Sequence, residues 1–200
     1  MQTDTYNTIN MPSEGLFKDK GSKFLSFAYP IVTEDEVKPI VQELKKQHHN
    51  ARHHCYAYRL GYQGKTYRAN DDGEPSGTAG RPILGQLLSH NITNVLIVVV
   101  RYFGGTLLGV SGLINAYKNA ANDAIANAQI EERIIEDQFK LTFDYHLQNM
   151  VNKTIKDFGI GLVNSSFGTN CCYTIAIRQT DCEQAIAAFG KLDGLQIEIL

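Results

Sequence analysis

Hydrophobic positions change period several times along this chain, and each change marks an element. Phe139, Leu141, Phe143 and Tyr145 recur at every second residue, the period of a strand with one buried face. Leu147, Met150, Val151, Thr154, Ile155 and Phe158 then follow at i, i+3, i+4 and i+7. That spacing predicts an amphipathic helix, stopped by Gly159 and Gly161. Leu162 to Phe167 and Cys171 to Arg178 flank Gly168-Thr169-Asn170 as a hairpin. A second helix carries Cys182, Ala185, Ile186 and Phe189 on its apolar stripe, with Thr180 and Glu183 as a capping box. Leu195, Ile197 and Ile199 close the region as a strand. The order is β-α-β-β-α-β, the ferredoxin-like unit.

The earlier part of the chain alternates less regularly. The first ten or so residues read as frayed. Leu16-Phe17-Lys18 and Lys23 to Tyr29 read as a strand pair turning at Asp19 to Ser22. Thr33 and Glu36 form a capping box before a helix with Val37, Ile40, Val41 and Leu44 on one face. His54 to Leu60 and Thr66 to Asn70 are predicted strands, followed by a short helix behind Pro82. Val95 to Val100 is apolar without alternation, which predicts a strand buried on both faces. A helix then runs through Leu113, Ile114, Tyr117, Ala121, Ala124, Ile125 and Ala128. Glu131 to Glu136 is charged and patternless, which places a domain boundary there. The expectation is an α+β protein with domains 1–132 and 133–200.

Composition adds exclusions. The chain has 200 residues, 43% of them hydrophobic, which excludes a disordered protein. A formal net charge of -2 provides no field to attract nucleic acid, so polyanion binding needs a local patch. Cys55, Cys171, Cys172 and Cys182 show no paired spacing and read as reduced thiols. Met1 to Asn10 has no apolar core of a secretion signal, and the longest apolar run is a third of a membrane span. These features predict a cytoplasmic protein without a membrane partner.

Candidate chemistry concentrates between Asp71 and Lys118. Gly104, Gly105, Gly109 and Gly112 lie between a buried strand and a helix, the setting in which backbone amides bind anions. Val110 stands where a P-loop needs lysine, so ATP hydrolysis of that type is excluded. Arg81 and Arg101 supply positive charge. The alternative is a tight turn, with Arg101 ion-paired to Asp72. Asp71, Asp72 and Glu74 surround Gly73, with Pro75 and Ser76 behind. With His53, these carboxylates suit a hydrolytic or metal-dependent enzyme; the alternative is a turn that caps the next helix. An EF-hand fails because its twelfth position is Pro82. His53 and His54 are adjacent on a strand and face opposite ways, so no metal site and no cofactor are expected. Arg52, Arg59, Lys65 and Arg68 interleave with Tyr56, Tyr58, Tyr62 and Tyr67, as in surfaces that hold single-stranded nucleic acid. The competing reading buries Tyr56, Tyr58 and Leu60 as one core row.

Two long runs, Asp71 to Pro82 and Val98 to Gly105, together with Ala51-Arg52-His53-His54-Cys55, resemble the signature of the YigZ/IMPACT family. Ser111 and Asn115 depart from it, where the family shows glycine and a basic residue. The resemblance implies a first domain similar to domain 2 of ribosomal protein S5. It also implies a ferredoxin-like second domain similar to the last domain of a ribosomal translocase. Eukaryotic relatives carry an added protein-binding domain and regulate a translation-initiation kinase pathway. Bacterial members are similar to nucleic-acid-binding modules by fold.

Together these readings point to a regulatory protein that binds RNA, the ribosome or translation factors. Arg52, Arg59, Lys65 and Arg68 would contact phosphates. Arg81, Arg101 and the amides of Gly104, Gly105 and Gly109 would form an anion pocket. An enzyme using His53, Asp71, Asp72, Glu74 and Ser76, or an interaction module without ligand, are the alternatives.

Overall fold

The computed structural model describes residues 4–200. In chain order the elements are β1 (Thr5–Ile9), β2 (Ser13–Asp19), β3 (Ser22–Pro30), α1 (Val37–Gln47), β4 (His53–Leu60), β5 (Thr66–Asn70), α2 (Gly80–Ser89), β6 (Val95–Tyr102) and α3 (Gly109–Ala126). They continue with β7 (Ile130–Ile134), β8 (Glu136–Phe143), α4 (Gln148–Asp157), β9 (Gly161–Phe167), β10 (Cys171–Arg178), α5 (Cys182–Phe189) and β11 (Gln196–Ile199). By internal packing they divide into two units. One is Tyr6–Arg133; the other is Ile134–Leu200 with residues 4 and 5.

The first unit is built on a five-stranded sheet of order β2-β3-β6-β4-β5. Every neighbouring pair is antiparallel. β6 lies at its centre, and all six residues from Val95 to Val100 are 0% exposed. Its alternation splits two cores. Val95, Ile97 and Val99 pack with Ile83, Leu87, Leu113, Ala116, Tyr117 and Ala120 of α2 and α3. Leu96, Val98 and Val100 pack with Val37, Val41 and Leu44 of α1, and with Tyr58 and Leu60. A strand covered by helices on both faces has no position left for a polar residue, which is why this stretch lacks a period.

The buried alanines of α3 let it lie close to the sheet. The Ser26 hydroxyl donates to the Ala120 carbonyl at 2.6 Å. A Cβ at Gly15 would come within 2.4 Å of the Ala124 nitrogen.

The second unit is a four-stranded antiparallel sheet of order β11-β8-β10-β9. With its two helices this is the ferredoxin-like arrangement. Phe139, Leu141, Phe143, Tyr173, Ile175 and Ile177 pack with Leu147, Val151, Ala185 and Phe189 in one core. The molecule is α+β, with the S5-like and ferredoxin-like parts that the resemblance implied.

Some expectations change. Residues 1–3 of the frayed start lie outside the described residues, but Thr5–Ile9 is a strand paired with β7, and Ile9 is fully buried. β7 itself occupies the stretch read as patternless. A two-stranded ribbon far apart in sequence leaves no local periodicity to detect. Thr180 does not cap α5. Its hydroxyl donates to Asp4 at 2.8 Å, and Arg178 pairs with the same carboxylate. The Arg178 guanidinium, and next the Thr180 hydroxyl, hold the Asp4 carboxyl well below its usual range. The first capping box does form, with Glu36 accepting the Val32 and Thr33 amides at 2.8 Å.

Candidate functional site

The register of the five-stranded sheet places His53 directly opposite Arg101 across β4 and β6, and Phe24 opposite Arg101 across β3 and β6. All three, with Cys55 opposite Val99, lie on the side of α3. There Arg101 is 7% exposed. Its Nη1 donates to Glu74 Oε1 at 2.6 Å. Tyr117 donates to the same oxygen at 2.8 Å. The Cys55 thiol donates to the Asp71 carbonyl at 3.0 Å and lies 3.4 Å from the Tyr117 hydroxyl. Burial pushes the Cys55 thiol and the Tyr117 hydroxyl far above their usual ranges, so both remain protonated. The result is a buried latch that ties the acidic run to β6 and α3. Arg101 pairs with Glu74, not with Asp72 as the sequence suggested.

The acidic run is otherwise consumed by its own architecture. Asp71 accepts the amides of Gly77 at 2.8 Å, Ala79 at 3.0 Å and Gly80 at 2.8 Å, so it caps α2. Burial alone would raise its pKa, but these amides outweigh burial and lower it. Asp72 accepts Lys45 Nζ at 2.9 Å and the His54 amide at 2.7 Å. Here too burial opposes ionisation, and Lys45 with the His54 amide lowers the pKa overall. The backbone turns through positive φ at Asp72 (39°) and Gly73 (88°). Ser76 is exposed. Each carboxylate thus has a different set of donors. Among the described residues no three His, Cys, Asp or Glu side chains converge as metal ligands.

Outside the latch, Arg101 lines a cavity of about 250 Å³ with Arg52, His53, Phe103 and Leu107. The Arg101 guanidinium carbon is 5.5 Å from the centroid of the Phe24 ring and 5.7 Å from that of Phe103. Its Nε is buried without a hydrogen-bond partner. His53 Nδ1 is 2.9 Å from the Asp72 carbonyl oxygen. A carbonyl only accepts, so Nδ1 carries the proton and Nε2 is an acceptor in the neutral ring. Phe103 is 51% exposed and Leu107 83%.

The other sequence candidates are dispersed. Arg81 is exposed beside Gly77 and does not line the cavity. Gly104 donates its amide to Ser22 Oγ at 3.1 Å. A Cβ there would meet the Gly21 carbonyl carbon at 2.0 Å, so this glycine serves a close backbone crossing. Gly105 and Gly109 are exposed, with φ of 86° and 72°. Arg59 is tied to the carbonyls of Gly64 at 3.2 Å and Ile92 at 3.1 Å. Lys65 lies in the β4–β5 turn, at the other end of β4 from Arg52. Arg68 is opposite Tyr58, on the α1 side, whereas Arg59 belongs to the alternate set. The four basic residues form no single stripe, because strand alternation divides what the sequence interleaves.

Comparison with known proteins bears on this region. Residues 20–125 match the family model described as the Impact N-terminal domain. The chain belongs to the IMPACT family. It is 35% identical over 153 residues to the IMPACT family member YvyE of Bacillus subtilis, covering 76% of this chain and 70% of that one. It is 31% identical over 150 residues to YigZ of Escherichia coli, covering 74% of each. A crystal structure of a hypothetical protein superposes over 99% of this chain and 98% of its own, with a TM-score of 0.75 and 26% identity.

The latch and the cavity both fall inside the matched IMPACT domain. Sequence reasoning missed Cys55, Tyr117, Phe103 and Leu107. The signal available for the last two was an aromatic and a leucine inside a glycine-rich loop, where packing does not require them. Among the described residues no helix is long and apolar enough to cross a membrane.

Proposed function

We propose that this protein is a translation-associated regulatory factor that binds single-stranded RNA at the Arg52–His53–Arg101–Phe103 cavity. One observation carries the reading. A guanidinium held by Glu74 and two aromatic rings, its buried Nε without a hydrogen-bond partner, belongs to a residue that lines a cavity with Arg52 and an exposed ring. Preorganised guanidinium groups suit phosphate oxygens, and a half-exposed phenylalanine suits a base face. His53 Nε2, an acceptor in the neutral ring, suits a ribose 2′-hydroxyl, the group that separates RNA from DNA. The translation setting is supported by membership of the IMPACT family, whose eukaryotic members the resemblance places on a translation-initiation kinase pathway. The enzyme reading loses support because Asp71, Asp72 and Glu74 are each engaged in holding the loop.

The test is fluorescence anisotropy of a labelled single-stranded RNA and its DNA counterpart across a salt series. RNA is expected to bind more tightly, with log affinity falling linearly with log salt. Arg52→Gln should reduce the slope by about 0.7, the value for one phosphate contact on a single strand. Phe103→Ala should weaken binding by about 1–3 kcal/mol if it stacks a base. Salt-independent binding, or a slope unchanged in Arg52→Gln, would remove this surface from the reading.

A further inference from the structure

A second depression runs between α1 and the β4–β5 hairpin, with a volume of about 510 Å³. Val37, Val41, Tyr56 and Tyr58 give it an apolar and aromatic lining, and Lys38, Lys45 and Arg68 give it cations. Two acids also line it, and both are already engaged. Glu34 accepts the Tyr58 hydroxyl at 2.7 Å, and Asp72 accepts Lys45 at 2.9 Å. Among the described residues Lys38 and Arg68 have no ion-pair partner. With Lys45 offset by Asp72, Lys38 and Arg68 outweigh Glu34, so the groove presents a net positive charge above an apolar lining.

One wall of this groove is a sheet edge. β5 is the terminal strand of the five-stranded sheet, and Thr66, Tyr67, Arg68 and Ala69 are all exposed. It pairs with β4 without a register shift, and it contains neither proline nor an acid. The opposite edge is treated differently. The Leu16 amide of β2 donates to Asp123 at 2.8 Å, and the Ser13 hydroxyl donates to the Ala124 carbonyl at 2.8 Å. α3 thus covers β2, while β5 keeps an open row of backbone donors and acceptors. Exposed edges of this kind are templates for another strand.

We propose that the β5 edge and the α1–β5 groove together form a docking site for an extended acidic peptide, which adds to the sheet as a sixth strand. Backbone pairing with β5 would hold the peptide, and alternate side chains would turn into the groove, about 7 Å apart. Acidic side chains there meet Arg68 and Lys38; aliphatic ones meet Val37, Val41 and Tyr56. A nucleic-acid strand lacks the amides and carbonyls to continue the ladder. The partner is therefore a protein segment with acidic and aliphatic residues at alternate groove-facing positions.

The probe is a labelled peptide of two Thr-Glu-Thr-Val repeats, which puts glutamate and valine on one face and threonine on the other. Two controls accompany it: the same peptide with lysine for glutamate, and one with alternate backbone nitrogens methylated on the ladder side. Anisotropy on the full-length protein should show binding of the acidic peptide only. Arg68→Glu combined with Lys38→Glu should weaken it at least about tenfold and admit the lysine peptide. Both residues are exposed, so circular dichroism of this variant should match the parent. An acidic peptide that does not bind at about 1 mM, or a methylated peptide that binds as well as the parent, would overturn the proposal. Displacement of the bound peptide by single-stranded RNA would also overturn it, because the groove would then belong to the nucleic-acid surface. Failure of RNA to bind at all leaves the peptide result intact, so the two readings fail separately.

Discussion

The interior latch and the cavity beside it share Arg101 but contrast in every other respect. In the latch, Glu74, Tyr117 and Cys55 are buried and meet their partners within the protein. In the cavity, Arg52 is exposed, His53 is held by one backbone carbonyl, and Phe103 and Leu107 face solvent. β4 and the Val98 to Gly105 run contribute to both, through Cys55 and His53 and through Arg101 and Phe103. In this chain, residues of the matched domain divide between holding the loops together and lining an open surface. Residue type does not reveal which. Arg101 and Arg52 both line the cavity, yet one is clamped by a buried carboxylate and the other is exposed.

The largest expected effect comes from breaking the latch on one side. Glu74→Ala leaves the Arg101 charge buried without its partner, which should lower stability by about 3–5 kcal/mol in urea denaturation. A loss below about 1 kcal/mol would show that the latch contributes little and would collapse the contrast. Tyr117→Phe, which removes one buried donor from Glu74, should cost about 1–3 kcal/mol.

Gly104→Ala sharpens the comparison from the backbone side. Its Cβ would enter the space of the Gly21 carbonyl carbon at 2.0 Å. Overpacking of this kind costs about 1–3 kcal/mol, and a thermal melt of the variant should show it. An unchanged melting temperature would mean that the loop has room to shift and that Gly104 is available for another role.

Acid titration isolates the loop that joins the two regions. Asp71 and Asp72 have lowered pKa values in the folded state. Groups of this kind contribute stability that is present above the unfolded carboxylate value of about 4 and is lost as pH falls through the folded one. Stability should therefore fall as pH drops below about 4, and the fall should be shallower in Asp71→Asn than in the parent. Equal slopes would mean that the three amides on Asp71 do not distinguish its charged form.

The smallest stability effect belongs to the cavity. Arg52→Gln should leave stability within about 0.5 kcal/mol of the parent, as exposed substitutions do, while reducing RNA affinity. A large loss of stability would place Arg52 in the structural set and erase the division.

Much of the fold is legible in the residues. Phe139, Leu141 and Phe143 alternate because only one face of their sheet is covered by helices. Leu147, Val151 and Ile155 follow a helical period because their helix has one buried side. Val95 to Val100 lacks any period because helices lie on both sides of it. β1 and β7 were not legible, because each gains its order from a strand more than a hundred residues away. Thr180 was misassigned for a related reason: its hydroxyl has a choice between a local amide and Asp4, and only the fold brings Asp4 within reach.

Most of the elements were legible along the chain, because local periodicity and turn residues are set by neighbours in sequence. The partners of each charged residue were set by the folded arrangement. Register set His53 opposite Arg101, alternation parted Arg59 from Arg68, and burial joined Arg101 to Glu74 in place of Asp72. A charge acts through the dielectric and the partners around it, and both are fixed by residues that are distant in sequence.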